Sequence, residues 1–258
     1  MSGMRLITAL VLAAMFAAGC GEKSATVNPG TADADKFLFD RGTASAKDRK
    51  WIDAREYFRN LVDNYPQSPY RPDAKLALGD TYIGEDSTES LLLAANEFRE
   101  FLTFYPTHPR ADYAQLQLAR SFTEQMLAPQ RDQSATKDAI KEIEIFLQRF
   151  PNSTLMPEAR KMEREARDRL SEASYLVGYF YFRIKYCPGA VDRFDEVLKT
   201  DPGFSNRDAV YFHMAECLYR EDRKAEALPY YERLLKEFEK SEYMAAAQKR
   251  VTELKNPA

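Results

Sequence analysis

The sequence predicts an all-α protein built as an array of stacked helical hairpins. Three observations predict it. In Ala94–Pro106, AANEFREFLTFYP, alanine is followed by apolar residues at +4, +7, +8 and +11 and by proline at +12. Those offsets share one face of an α-helix, and proline ends the helix because it lacks an N–H and crowds the preceding turn. The same spine starts again at Ala54, Ala139, Ala190 and Ala227, and such recurrence is the mark of a helical repeat protein. Charged residues make up 30% of the 258 residues and only 10 are glycine, which suits helices with a solvated exterior. The formal net charge of −3 argues against nucleic acid as a partner, which leaves a basic footprint. Three cysteines are too few for a disulfide scaffold.

The chain opens with Arg5 and the apolar run Leu6–Ala18, a targeting segment too short to span a bilayer as a mature helix. Residues 21–32 are polar, contain Asn28-Pro29-Gly30 and lack an apolar period; they read as a flexible tether reaching roughly 40 Å at most. The first hairpin is Asp33–Ala46, where Gly42 permits close helix approach, and Lys50–Tyr65. The second is Tyr70–Gly84 with Ser87–Tyr105; the third is Pro109–Leu127 with Ser134–Phe150, joined by the polar loop Ala128–Gln133.

Pro157 fits the first turn of a helix, and no further proline or turn cluster intervenes before Lys185, which predicts one long helix. Its first half is charged on all but a thin stripe, Ala159, Met162, Ala166 and Leu170, and its second half, YLVGYFYFRIKY, is apolar nearly all round. Propensity alone makes Tyr175–Ile184 a strand; the repeat requires a helix there, and no partner strand is nearby. Cys187–Thr200 completes the fourth hairpin, and Ser205–Arg220 with Lys224–Phe238 forms the fifth, Pro229 placing the second helix's start nearer Leu228. Ser241–Leu254, apolar on one side and charged on the other, is the capping helix an array needs. The expected division is residues 33–151 for the first three repeats and 152–258 for the long helix, the last two repeats and the cap.

The Ala-to-Pro interval and the phrase Leu78-Gly79-Asp80-Thr81-Tyr82 resemble the tetratricopeptide repeat, with looser echoes at Leu118-Ala119, Val177-Gly178 and Met214-Ala215. Ala17-Ala18-Gly19-Cys20 resembles a bacterial lipobox, with Ala17 where leucine is usual, so residues 1–19 form a signal peptide and Cys20 receives the lipid; the alternative is an ordinary signal peptide cleaved nearby. Gly21 lacks the aspartate of inner-membrane retention, which points to the periplasmic face of the outer membrane. Within the repeat superfamily the chain resembles the BamD family of β-barrel assembly lipoproteins. The resemblance rests on Cys20, Tyr65-Pro66-Gln67-Ser68-Pro69-Tyr70, Tyr105-Pro106-Thr107-His108-Pro109, Asp112-Tyr113, Phe150-Pro151-Asn152-Ser153 and Asp168-Arg169-Leu170. Asp201, where an aromatic precedes Pro202, and Glu239, where proline follows Phe238, depart from the pattern.

The resemblance implies an N-terminal groove, lined by Phe39, Leu76, Asp80, Tyr113 and Arg120, that receives an extended aromatic-bearing segment of an unfolded outer-membrane protein; the plainer reading is inter-repeat packing. It also implies that the C-terminal repeats dock on the barrel-forming subunit and that other assembly lipoproteins join, with Arg169 pairing a partner carboxylate; the plainer reading is a pair with Glu165. The sequence calls for no cofactor and no metal: His108 and His213 are isolated, and neither a phosphate loop nor a Gly-x-Ser-x-Gly nucleophile motif occurs. The reading is therefore a non-enzymatic scaffold. The alternative is an adaptor of the Tol–Pal or cell-wall synthesis machinery, which often carries a coiled coil before its repeats; no heptad run precedes Asp33. Cys187 and Cys217, on neighbouring helices, admit either a disulfide or two buried thiols.

Overall fold

A computed structural model describes residues 33–256; the expected signal peptide, Cys20 and the expected tether lie outside the described residues. Eleven α-helices follow one another there: α1 (Ala34–Lys47), α2 (Trp51–Asn64), α3 (Arg71–Glu85), α4 (Thr88–Phe104), α5 (Ala111–Thr123), α6 (Ser134–Arg149), α7 (Met156–Arg183), α8 (Cys187–Thr200), α9 (Arg207–Arg220), α10 (Lys224–Glu237) and α11 (Met244–Lys255). Each helix packs on the next, and the first helices of successive hairpins, α1, α3, α5, α7 and α9, also touch in order. Tyr175–Arg183 is helical, as the repeat demands and propensity does not.

Within each hairpin a small residue lies under a large ring. A Cβ added to Gly42, Gly79 or Gly178 would come within 2.5–2.7 Å of the ring of Phe58, Phe98 or Phe194. Alanine takes the small position in the third and fifth hairpins, where Ala119 and Phe146, and Ala215 and Tyr231, are fully buried. The core is four successive clusters rather than one: α1–α3 around Phe58, α3–α5 around Phe98 and Phe101, α5–α7 around Phe146, and α7–α11 around Phe194, Tyr211 and Tyr231. α7 serves two of them, with Ala159 and Met162 in the third and Tyr175 in the fourth.

The corner between hairpins explains the Tyr-Pro-x-Ser phrase. The Ser68 N–H donates to the Tyr65 carbonyl (3.0 Å), and the Ser68 hydroxyl accepts from the Tyr70 N–H (3.1 Å). Ser153 and Ser241 repeat this geometry, and His108 Nδ1 replaces the hydroxyl by accepting from the Arg110 N–H. The corner at Phe238 thus closes without its proline. Asp201, in place of the aromatic, is buried and accepts from Arg164, from the Ser171 hydroxyl (2.8 Å) and from the Gly203 N–H (3.2 Å). Burial alone would raise the Asp201 pKa, but these donors outweigh it and hold the carboxyl below its ordinary value.

Three expected boundaries move. α5 stops at Thr123 instead of Leu127, because the Gln125 side chain folds back on the Ser121 carbonyl and the Gln125 and Met126 N–H groups tighten into i−3 bonds. α10 starts at Lys224, not near Leu228: Pro229 sits inside the helix on its exposed face, where the lost N–H and the ring are directed away from the core. The last helix starts at Met244, after the Ser241 corner. α11 is tied down by Glu216, whose carboxylate accepts from Arg250 Nε (2.8 Å), Arg250 Nη2 (3.2 Å) and the Tyr231 hydroxyl (2.6 Å).

Replacing Gly79 by valine forces two methyl groups into the Phe98 ring, and we expect a loss of about 3 kcal/mol in urea unfolding. Lys185 holds a left-handed φ of 62° at the α7–α8 turn, where the Tyr186 N–H returns to the Tyr181 carbonyl (2.9 Å). Lys185→Gly relieves that conformation and should gain roughly 0.5–1 kcal/mol in the same measurement.

Candidate functional site

Three of the five residues expected in the groove come together. Asp80 on α3 accepts a 2.7 Å hydrogen bond from the Tyr113 hydroxyl on α5, which in turn accepts from Gln117 Nε2 (2.8 Å). One turn further along α5, Arg120 pairs with Glu158 in the first turn of α7. The guanidinium of Arg110 stands 4.6 Å over the Tyr113 ring and donates to Asp73 Oδ1 (3.0 Å). One line of polar and aromatic groups thereby joins the first helices of the second, third and fourth hairpins. Gln117 Oε1 is buried with no hydrogen-bond partner among the described residues.

The electrostatics follow from burial. Asp80 has its pKa raised to about 6, chiefly by desolvation, while the Tyr113 hydroxyl and the charges of Arg110 and Arg120 pull the other way. Burial and the Asp80 carboxylate push the Tyr113 hydroxyl up to about 12, so it remains a donor. Among the described residues no three His, Cys, Asp or Glu side chains gather as a metal site.

Phe39 lies apart from this line. It is half-buried in the first cluster, stacked on Tyr70 at 5.4 Å. Leu76 is a correction: it is fully buried beside Phe98 and Phe101, so it fills the core and lines no surface. The helical offset placed it on the wrong side, since α3 is covered by both α4 and α2. Gln117 and Glu158 went unread. Gln117 is four residues beyond Tyr113 and shares its face of α5, and Glu158 is the acidic residue in the first turn of α7.

Among the described residues Arg169 does not pair with Glu165; its Nη1 donates to the Leu127 carbonyl (2.7 Å), and Glu165 faces Lys161. The adjacent Asp168 accepts from the Ser205 N–H (2.9 Å) and hydroxyl (2.7 Å), so the Asp168-Arg169-Leu170 motif pins α7 to the loops flanking it. Beyond this motif α7 outruns its neighbour. Arg167 reaches Glu144 of α6, and Leu170 and Ser174 share a cavity with Lys137 and Ile140 near the start of α6. The continuation of that face, Val177, Phe180 and Ile184, extends past α6, and Phe180 and Ile184 are 58% and 57% exposed.

The fold defines a tetratricopeptide-repeat array, and residues 209–241 match a tetratricopeptide-repeat family model. Residues 31–220 match the family model described as "YfiO: Outer membrane lipoprotein". The chain belongs to this family of outer-membrane lipoproteins, the BamD family. The "Outer membrane protein assembly factor BamD" of Caulobacter vibrioides is 26% identical over 212 residues, covering 81% of this chain and 68% of the relative. That of Vibrio cholerae is 25% identical over 175 residues, covering 64% and 71%. Among solved structures, the TPR2AB domain of yeast Sti1 in complex with pHSP90 aligns over 86% of this chain and 98% of that one, at 13% identity and a TM-score of 0.44.

Asp80 gives the site a pH signature. Its folded carboxyl binds a proton more tightly than the ordinary value of 3.8 allows, so its contribution to stability is full below that value and is lost as the pH rises through about 6. Asp80→Asn should therefore raise stability at pH 7 by on the order of 1–2 kcal/mol and flatten the wild-type decline between pH 4 and 6, read as the difference between the two urea-unfolding curves.

Proposed function

We propose that the protein is a non-enzymatic scaffold in the assembly of outer-membrane β-barrel proteins. The family match over residues 31–220 carries this reading, because the relatives that share it are named as outer membrane protein assembly factors. The Asp80–Tyr113–Gln117 line supports reception of an extended client segment. The Asp80 carboxylate is an acceptor for backbone N–H groups, and the Tyr113 ring offers a face to aromatic side chains. Phe39 adds an aromatic surface at the entry hairpin. The C-terminal repeats dock on the barrel-forming subunit through the bare face of α7, with Arg169 at its edge, and other assembly lipoproteins join the same complex. Exposed apolar side chains in one helical row mark such a surface. Cys20 carries the lipid that holds the scaffold to the inner leaflet.

Copurification from detergent-solubilised envelopes tests the docking. The wild-type chain should bring down the barrel-forming subunit, and Phe180→Asp with Ile184→Asp should cut the yield at least tenfold with the helical circular dichroism unchanged. Photocrosslinking from position 113 should capture unfolded outer-membrane proteins. Capture of Tol–Pal or cell-wall synthesis proteins instead of the barrel subunit would overturn the reading. Cys20→Ser should release a folded chain from the membrane.

A further inference from the structure

Cys187 and Cys217 are free in the structure, and both are buried, at 5% and 0% exposure, in the α7–α11 cluster. Cys187 is the first residue of α8 and Cys217 lies in the third turn of α9, so the two thiols belong to different hairpins. They nevertheless share one buried cluster, on helices that pack directly on each other, and the Cys187 side chain is among the groups acting on the Cys217 thiol. Their surroundings are apolar: Ala190, Met214, Leu218 and Ala227 share the cluster. Burial pushes the Cys217 thiol up, with the Cys187 side chain adding to the effect, so that sulfur is not poised as a thiolate nucleophile or a metal ligand. In such a setting two S–H groups lack good acceptors, whereas a disulfide has no donor left to satisfy.

We propose that Cys187 and Cys217 form a structural disulfide that joins the fourth hairpin to the fifth. The proposal rests on the placement of this lipoprotein family outside the cytoplasm, where disulfides form and persist, and not on the assembly reading. The chemistry is thiol–disulfide exchange with a protein oxidant that carries its own reactive disulfide. One cysteine thiolate attacks that disulfide and forms a mixed disulfide; the second attacks the mixed bond and releases the oxidant as a dithiol. Two thiol protons are lost, two electrons pass to the oxidant, and one S–S bond forms in this chain. The near-complete burial of both sulfurs sets the timing. Exchange takes place while α8 and α9 are still docking, and the finished bond is closed to reductants in the folded chain.

The bond is tested on the full lipoprotein purified from membranes without reductant. The protein is unfolded in guanidinium with excess N-ethylmaleimide, digested and analysed by mass spectrometry. Neither Cys187 nor Cys217 should be labelled, and their peptides should appear as one linked species lighter than the sum by two hydrogen atoms. After reduction in denaturant both should label fully. Reductant added to the folded chain should leave the linkage intact, and Cys217→Ala should expose Cys187 to labelling. The linked chain should also melt several degrees above the chain reduced in denaturant and refolded. Stoichiometric labelling of both residues before reduction overturns the proposal, as does a disulfide linking two copies of the chain.

Discussion

Everything in this molecule depends on one contact, an aromatic ring laid against a residue with almost no side chain. Gly79 under Phe98 is the clearest case: with 2.5 Å between the ring and a would-be Cβ, the helix axes sit as close as they do only because there is nothing to displace. Bringing the axes together buries the alanine at the head of each spine and the large apolar residue two turns on, and every cluster of the core grows from that seam. The surface is free to vary once the seam is set, which is consistent with relatives near one quarter identity sharing the family.

Where the repeat departs from its own pattern, polar chemistry takes over. Asp201 replaces the aromatic that closes the other corners, and Arg164 reaches from α7 to meet it. Glu216 holds the capping helix through Arg250 and Tyr231. Burial opposes ionisation at both carboxyls, yet both titrate below their ordinary values because of the donors around them. Their contributions therefore persist above the usual carboxylate range and fade in acid, opposite in sign to that of Asp80.

Much of the architecture was legible in the sequence because spacing is a one-dimensional property. Helical offsets and a proline at a fixed interval specify hairpins without knowledge of neighbours. The misreadings fall where spacing is silent, on which face of a helix is covered and on which side-chain bonds form. Leu76 was assigned to the groove by its offset, but which side of α3 is covered depends on α2 and α4 together. The early end of α5 turns on a side-chain bond from Gln125 to Ser121, and Pro229 is tolerated inside α10 because its face of the helix is exposed. Within the candidate site, Asp80, Tyr113 and Arg120 could be picked out individually. That Tyr113 bonds to Asp80 and Arg120 to Glu158 required the register between hairpins.

α7 belongs to two cores at once, and this has a mechanical consequence. Glu158, in its first turn, grips Arg120; Phe180, near its last, stands in the open. The two are separated by about 33 Å of unbroken helix, and a helix braced in packing at both ends behaves as a stiff rod. The bare end of α7 and the Arg120–Glu158 clasp therefore belong to one rigid element, which fixes the spacing between the third hairpin and the fourth.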